Sequence, residues 1–577
     1  MTGHKGQTTE RELLRTLSAH RVAFVGVALF SATINVLMLT GPLFMLQVYD
    51  RVLASRSSAT LLVLFAIVVF LFGLMGLLDH FRGRVLARIG AGFQASLDAR
   101  VFQAVLKQAE YPALRERPAS ALRDLASIQA ALSSPGMGAL FDLPWAPLFV
   151  GILFVFHPWI GWFAVAGGAL VLILALANQA RTEGPQSEAL RLAAQSDART
   201  ETARKAIETV RGLGMSGAIL DGWRMWREAA LAATMRASDR AGSISVATRT
   251  IRLLLQSAIL ALGAFLVLRR ELTPGAMVAG SILLGRALAP IEQSVAHWPQ
   301  FQRALKSWND LSRLLSNIPA DTAPTELPRP AARLEVRNLT LAPPGEATFV
   351  LQGVTFAAEP GDAIAVIGPS ASGKSSLARA LVGLWAPYKG EVRLGGADLH
   401  QYERDALGRY FGYLPQDVVL FSGSVAQNIG RFDATSRTEQ IMEAAQKAEA
   451  HDLIKGLPNG YDTQITDGGG RLSGGQRQRI GLARAFFGDP VVLVLDEPNA
   501  SLDDPGVQAL NRAIAGARKD GKIVLVMSHR PSALAECNKV MVLDGGHMRG
   551  FGPRDEMLSR FLRPVQSIGA ALPKEQA

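Results

Sequence analysis

Apolar residues are unevenly spread along this chain. Long apolar runs occur only before about residue 292, over 22–46, 60–78, 139–156, 160–177, 253–268 and 275–291. A helix needs about 20 mainly apolar residues to cross about 30 Å of hydrocarbon. The first four runs reach that length comfortably, and the last two are short or interrupted. Six membrane spans are expected. Segments 79–138 and 181–252 lack such runs and are rich in Ala, Leu, Arg and Gln, which favour helix. Each carries breakers near its middle: Pro112 and Pro118 in the first, Gly212, Gly214 and Gly217 in the second. Each therefore predicts a helical hairpin, with legs of ~28 residues reaching ~42 Å beyond the membrane. On the pattern alone a solvated coiled-coil spacer is the simpler reading. The second half of the chain favours a mechanical one.

Pro319, Pro324, Pro328 and Pro330 crowd a short linker. Beyond it, short β-rich runs at 334–341, 362–367, 491–495 and 522–527 alternate with helix-like stretches, which predicts an α/β domain. The expected organisation is a cytoplasmic tail over 1–20 and a transmembrane domain over 21–316 with six spans and two long cytoplasmic hairpins. A linker over 317–333, an α/β domain over 334–564 and a flexible tail over 565–577 follow.

Composition agrees with a mixed membrane and soluble protein. Of 577 residues, 49% are apolar and 19% charged, too greasy for a disordered chain and too polar for one lying wholly in lipid. The single cysteine, Cys537, excludes an intramolecular disulfide and suits a reducing compartment for the soluble part. The net charge of +11 could suggest nucleic acid. Membrane proteins, however, collect Lys and Arg in cytoplasmic segments, and no nucleic-acid partner is expected. Arg11, Arg15 and Arg21 precede the first run, and Arg82, Arg84 and Arg88 follow the second, which places the N-terminus in the cytoplasm. Trp159 and Trp162 suit the opposite interface. Arg51, Arg56, Arg269 and Arg270 fall on that outer side and run against the bias. The first run is too long for a signal peptide and no small-residue cleavage site follows it, so it is expected to stay as a span.

The chemistry lies in the second half. Gly368, Pro369, Ser370, Ala371, Ser372, Gly373, Lys374 and Ser375 fit the phosphate-binding pattern G-x-x-x-x-G-K-[ST]. They follow an apolar strand, and Ser376 opens a predicted helix to residue 384. Backbone N–H groups and the helix N-terminus would surround phosphate oxygens. Lys374 would neutralise the β- and γ-phosphates of ATP, and Ser375 would ligate Mg²⁺. Residues 491–495 read as a strand buried on both faces, ending in Asp496 and Glu497. Asp496 would hold Mg²⁺, and Glu497 would act as general base on the attacking water. Leu472-Ser473-Gly474-Gly475-Gln476 opens a helix containing Arg477, Arg479 and Arg484. Its Ser and glycines make a second anion site.

LSGGQ, in this order after the phosphate loop and before the Asp-Glu pair, resembles the signature of ATP-binding-cassette (ABC) ATPases. The resemblance implies further roles. Gln416, in Tyr413-Leu414-Pro415-Gln416, matches the glutamine that touches Mg²⁺ and senses the membrane domain. Ser501-Leu502-Asp503 looks like the D-loop, with Asp503 beside nucleotide. His529 matches the switch histidine at the γ-phosphate. Two departures stand out. Pro343 and Pro344 occupy the place where the family stacks adenine on an aromatic residue, with Phe349 the nearest ring, so weak discrimination between ATP and GTP is expected. The acidic residue often found before the signature appears only as Asp467. In this family the signature serine serves ATP held by the other cassette, so one cassette per chain implies a homodimer with two composite sites.

The membrane half narrows the likeness. Segment 41–53 (GPLFMLQVYDRVL), segment 141–145 (FDLPW) and segment 283–290 (LLGRALAP) resemble type I secretion ABC proteins, particularly the protease-exporter (PrtD-like) branch. That resemblance covers nearly the whole chain. It implies an inner-membrane motor partnered by a periplasmic adaptor and an outer-membrane channel, exporting unfolded polypeptides with an uncleaved C-terminal signal. An exporter of lipids or small hydrophobic molecules is the alternative; an ATP-gated channel fits less well with an intact Glu497. About twenty residues before the first span leave no room for a leader peptidase, so leader cleavage is not expected. Asp142 and Arg286 lie within or at the edge of spans, where a charge marks a pathway or else snorkels to the interface. Pro144, Pro147 and Pro290 would bend helices around a cavity.

Overall fold

The structure is a computed structural model and describes residues 12–109, 121–318, 327–466, 472–528 and 535–561. The chain folds as two compact units, one helical and one α/β. In the helical unit the first apolar run forms α1 (Arg21–Leu37) and α2 (Thr40–Gln47), followed by a π-helical turn at Val48–Val52. The second run opens α3 (Ser58–Ala109), unbroken over 52 residues. Its Leu62, Phe65, Val69 and Phe70 point outward and exposed, as lipid contact requires. α4 (Ala121–Leu132) and α5 (Pro135–Asp142) lead to a 3-10 turn at Leu143–Trp145, then α6 (Ala146–Phe156). The third apolar run is therefore split, because Pro144 and Pro147 cannot donate backbone hydrogen bonds.

α7 (Pro158–Lys205), α8 (Ser216–Leu268) and α9 (Pro274–Asn317) complete the unit. Among the described residues, five helices are long and apolar enough to cross a membrane, and the apolar stretch Pro158–Leu174 is a shorter one. α7 and α8 pack along each other over Ala189, Leu192, Ala230 and Ala233. The Trp223 indole N–H donates to Thr200 Oγ1 at 3.0 Å, and the Arg199 guanidinium lies 4.4 Å from the Trp226 ring centre. The chain reverses near Gly214, whose φ of 66° lies in the left-handed region that glycine tolerates. The tip of the other hairpin, with Pro112 and Pro118, lies outside the described residues, as do Pro319 and Pro324 and the tail from residue 562.

Two polar clusters among the described residues tie helices of this unit together. Asp50, within segment 41–53, accepts from Thr273 Oγ1 at 2.7 Å and from the Gly275 N–H at 2.8 Å. A carboxylate thus caps the positive N-terminus of α9. A Cβ at Gly275 would lie 2.7 Å from that carboxylate, so a larger residue there would push Asp50 aside. The second cluster is buried. Arg82 Nη1 donates to Asp142 at 2.8 and 2.9 Å and to Ser31 Oγ at 3.0 Å, while Asn35 Nδ2 donates to Asp142 Oδ1 at 2.8 Å. Asp142 is 7% exposed. It neither snorkels nor stands alone: it ties α1, α3 and α5 together. Arg286 is half-buried on α9.

In the α/β unit, β1 (Leu334–Leu341) pairs antiparallel with β2 (Leu351–Ala358), and β3 (Ala363–Ile367) leads through a glycine-rich loop into α10 (Lys374–Leu381). β4 (Lys389–Leu394) joins the β1 side of that antiparallel sheet. Then come β5 (Phe411–Leu414), α11 (Gly474–Phe486), β6 (Val492–Asp496), α12 (Asp504–Lys519), β7 (Ile523–Met527), β8 (Lys539–Asp544) and β9 (His547–Pro553). The larger sheet has the order β9-β8-β3-β7-β6-β5 and is parallel except at β9. β6 and β7 are buried along their whole length, which is why they read as continuous apolar runs. The phosphate loop, Gln416 and the Asp496–Glu497 pair therefore gather at the carboxyl ends of parallel strands, where open α/β sheets bind ligands.

Cys537 packs in this unit's core, and burial pushes its thiol up to about 12. A protonated, buried thiol is unreactive. The folded wild-type chain should take up essentially no maleimide at neutral pH until it is denatured, as mass spectrometry would show. Prompt labelling of the native protein would contradict this packing.

Candidate functional site

The site is built on loops that leave β3, β5 and β6. The loop after β3 doubles back tightly. A Cβ at Gly368 would lie 2.1 Å from the Leu543 carbonyl oxygen, so no other residue fits there. Ala371 and Gly373 have φ values of 64° and 99°. Gly373 caps α10, and a Cβ on it would meet Leu351 Cδ2 at 2.6 Å. The left-handed turns point successive N–H groups inward, which makes an anion-binding nest at the start of α10.

Lys374 is buried and donates through Nζ to the carbonyl oxygens of Gly368 and Pro369 at 2.8 and 2.9 Å. Burial lowers its affinity for its proton, while Glu497 and Asp496 oppose that shift. A dehydrated ammonium folded back on its own loop suits a phosphate partner. Ser372 Oγ is buried and has no protein hydrogen-bond partner, so the loop holds an unmet polar group as well. Ser375 Oγ donates to Asp496 Oδ1 at 3.2 Å. Burial pushes the Asp496 carboxyl above its ordinary range; the Ser375 bond opposes this and the neighbouring Glu497 adds to it. A hydroxyl beside a desolvated carboxylate is the donor set that a hard divalent cation takes. The residues present thus fit both nucleotide phosphate and Mg²⁺.

Glu497 follows at once, with a φ of 49°, in the left-handed region that a non-glycine residue rarely adopts. Its N–H donates to the Met527 carbonyl at 2.9 Å. Gln416 is exposed just beyond β5, whose Leu414 pairs with Leu495 of β6, so it stands one strand away from Asp496. His529 follows β7 but lies outside the described residues, as does Asp467.

Ser473 caps α11: its Oγ accepts from the Gln476 N–H at 3.2 Å, and Gln476 Oε1 accepts from the Ser473 N–H at 2.9 Å. Gln476 is thus half of a capping box. Gly474 and Gly475 press against the D-loop: a Cβ on Gly475 would lie 2.9 Å from the Ser501 carbonyl oxygen. Asp503 caps α12, accepting from the Gly506 N–H at 3.0 Å. Within one chain these residues shape helix starts. Near the vacant place of the usual aromatic platform, Phe349 forms a ring pair with Tyr388, with centroids 4.9 Å apart. Sequence reasoning passed over Tyr388. It also passed over Gln478, whose amide joins α11 to Glu497 and Ser501; a second Gln two positions after the signature was its only trace.

A phosphate loop, an Asp-Glu strand end and a signature helix, fused to a bundle of apolar helices, define an ATP-binding-cassette exporter. Residues 24–288 match the ABC transporter transmembrane region, and residues 351–500 match the ABC transporter family. The "Type I secretion system ATP-binding protein PrsD" of Rhizobium meliloti (strain 1021) is 44% identical over 546 residues, covering 95% of this chain and 94% of that one. The "Cyclolysin secretion/processing ATP-binding protein CyaB" of Bordetella pertussis is 28% identical over 94% of this chain and 77% of its own. A solved bacterial Atm1-family ABC exporter with ATP bound has a TM-score of 0.79 at 22% identity, covering 94% of this chain and 97% of that one, and so shares the fold. The chain belongs to the type I secretion system ABC transporters and is an ATP hydrolase coupled to transport.

Proposed function

We propose that this chain is the inner-membrane motor of a protein-secretion machine. It works as a homodimer that exports unfolded polypeptides carrying an uncleaved C-terminal signal. A periplasmic membrane-fusion adaptor and an outer-membrane channel complete the path, and the cassette and N-terminus face the cytoplasm. The observation that carries this reading is the end-to-end likeness to a type I secretion ATP-binding protein, with a relative named for cyclolysin secretion beside it.

Each step at the ATP site has a residue of this chain behind it. Loop N–H groups and Lys374 bind the phosphates. Ser375 and Asp496, with Gln416, would hold Mg²⁺, which offsets developing charge on the phosphate oxygens when bound. Glu497 accepts a proton from the attacking water, and His529, which follows β7 in the sequence, would meet the γ-phosphate. Ser473 of each protomer serves the ATP of the other, so the two cassettes close as nucleotide binds and part after hydrolysis.

The test is export by cells that hold this protein and its two envelope partners. Deleting the C-terminal segment of a passenger should abolish its secretion, and Lys374→Ala should weaken nucleotide binding and abolish secretion. Equal export of the shortened passenger would sink the signal reading. ATPase stimulation by lipid, with none by a C-terminal passenger fragment, would support the lipid-exporter alternative instead.

A further inference from the structure

Gln478 is 4% exposed, and both ends of its amide are spoken for. Nε2 donates to the Glu497 carbonyl oxygen at 2.9 Å, and Oε1 accepts from the Ser501 N–H at 3.0 Å. Turning the amide over would set oxygen against oxygen and N–H against N–H, so this orientation alone satisfies both partners. Glu497 is therefore gripped from both sides. Its N–H is held by Met527, and its carbonyl is held by Gln478 and by the Ala500 N–H at 3.1 Å. It needs that grip, because a glutamate in the left-handed region is strained and persists only where its surroundings over-determine it. The donor that supplies part of the grip stands on α11, the helix that Ser473 opens.

We propose that Gln478 is a positioning residue for ATP hydrolysis: from the signature helix it fixes the left-handed backbone of Glu497, and so the aim of the general base, in its own chain's site. The proposal rests on the reading of Glu497 as general base in a dimer of composite sites. It assigns Gln478 to a different site from Ser473. The serine serves the partner's nucleotide, whereas the glutamine five residues on serves the chain's own. A glutamine that only steadied α11 would act on the partner's nucleotide, as the signature does.

In the full-length dimer, Gln478→Ala should lower kcat by about 10- to 100-fold, the effect of losing one buried hydrogen bond at an aligned base. KM for ATP should not change, because the phosphate loop is untouched. Mixed dimers with one tag per protomer then separate the two readings. With Gln478→Ala in one protomer and Glu497→Gln in the other, the one site with an intact base lacks its positioning residue, and ATPase should fall to nearly that of the Glu497→Gln homodimer. With both substitutions in the same protomer, the surviving site has its own Gln478, and ATPase should match a dimer of wild type with Glu497→Gln. Equal loss in the two arrangements, or greater loss with both in one protomer, overturns the proposal. Thermal melting of the Gln478→Ala dimer reads folding separately. A Glu497→Gln homodimer that still hydrolyses ATP would instead remove the general-base reading itself.

Discussion

Purified Glu497→Gln protein should bind ATP as the wild type does and turn it over at least ~100-fold more slowly, the range that loss of a general base produces. The substitution keeps size and shape, so the left-handed backbone and its bonds to Met527 and Gln478 can persist. What disappears is the carboxylate proposed to accept the water's proton. On the proposed mechanism phosphate binding rests on Lys374, which is bonded to its own loop, and on the loop N–H groups, all untouched. Binding without turnover leaves the cassettes closed on nucleotide, so the variant should accumulate as an ATP-bound dimer. Steady-state ATPase and size-exclusion chromatography with ATP check both halves. Activity near wild type would remove Glu497 from the mechanism.

The second large effect concerns stability. Asp142→Ala should destabilise the helical unit by about 3 kcal/mol, at the lower end of what breaking a buried ion pair costs. The loss takes the charged acceptor from Arg82 Nη1 and Asn35 Nδ2, which keep only Ser31 Oγ and the Ser31 carbonyl oxygen as partners. Arg82 Nη2 keeps its 2.7 Å contact with Asp79, whose side chain is largely exposed, and that softens the effect. Replacing both Arg82 and Asp142 by leucine should recover much of the loss, because no charge then remains buried without a partner. Thermal unfolding of Arg82→Leu, Asp142→Leu and the double leucine variant in one detergent forms the cycle. Strictly additive losses would mean that the pair does not act as a unit.

The phosphate loop was legible in the sequence because its chemistry is local. A nest of inward N–H groups needs small residues at set spacings, and those spacings survive in one dimension. Asp496 and Glu497 were legible because a strand buried on both faces leaves a continuous apolar run that points to its own end. The split third span was only half legible. Pro144 and Pro147 announced a bend, but the run of apolar residues hid that two helices and a 3-10 turn share it. Asp142 was visible as a charge in an apolar stretch, while its partner was not. Arg82 lies sixty residues away and looked like one more cytoplasmic arginine.

The sequence by itself determined the two-part architecture, the phosphate chemistry and the family likeness, since each rests on patterns of composition or on short motifs. Only the tertiary structure decided who holds whom. It set Asp50 on the N-terminus of α9, Arg82 on Asp142, Phe349 on Tyr388 and Gln478 on the backbone of Glu497. Each of these pairs joins groups far apart in the chain or reaches main-chain atoms, which every residue carries alike. Such contacts leave no spacing to read, because folding, and not neighbourhood along the chain, brings their atoms within hydrogen-bond or packing distance.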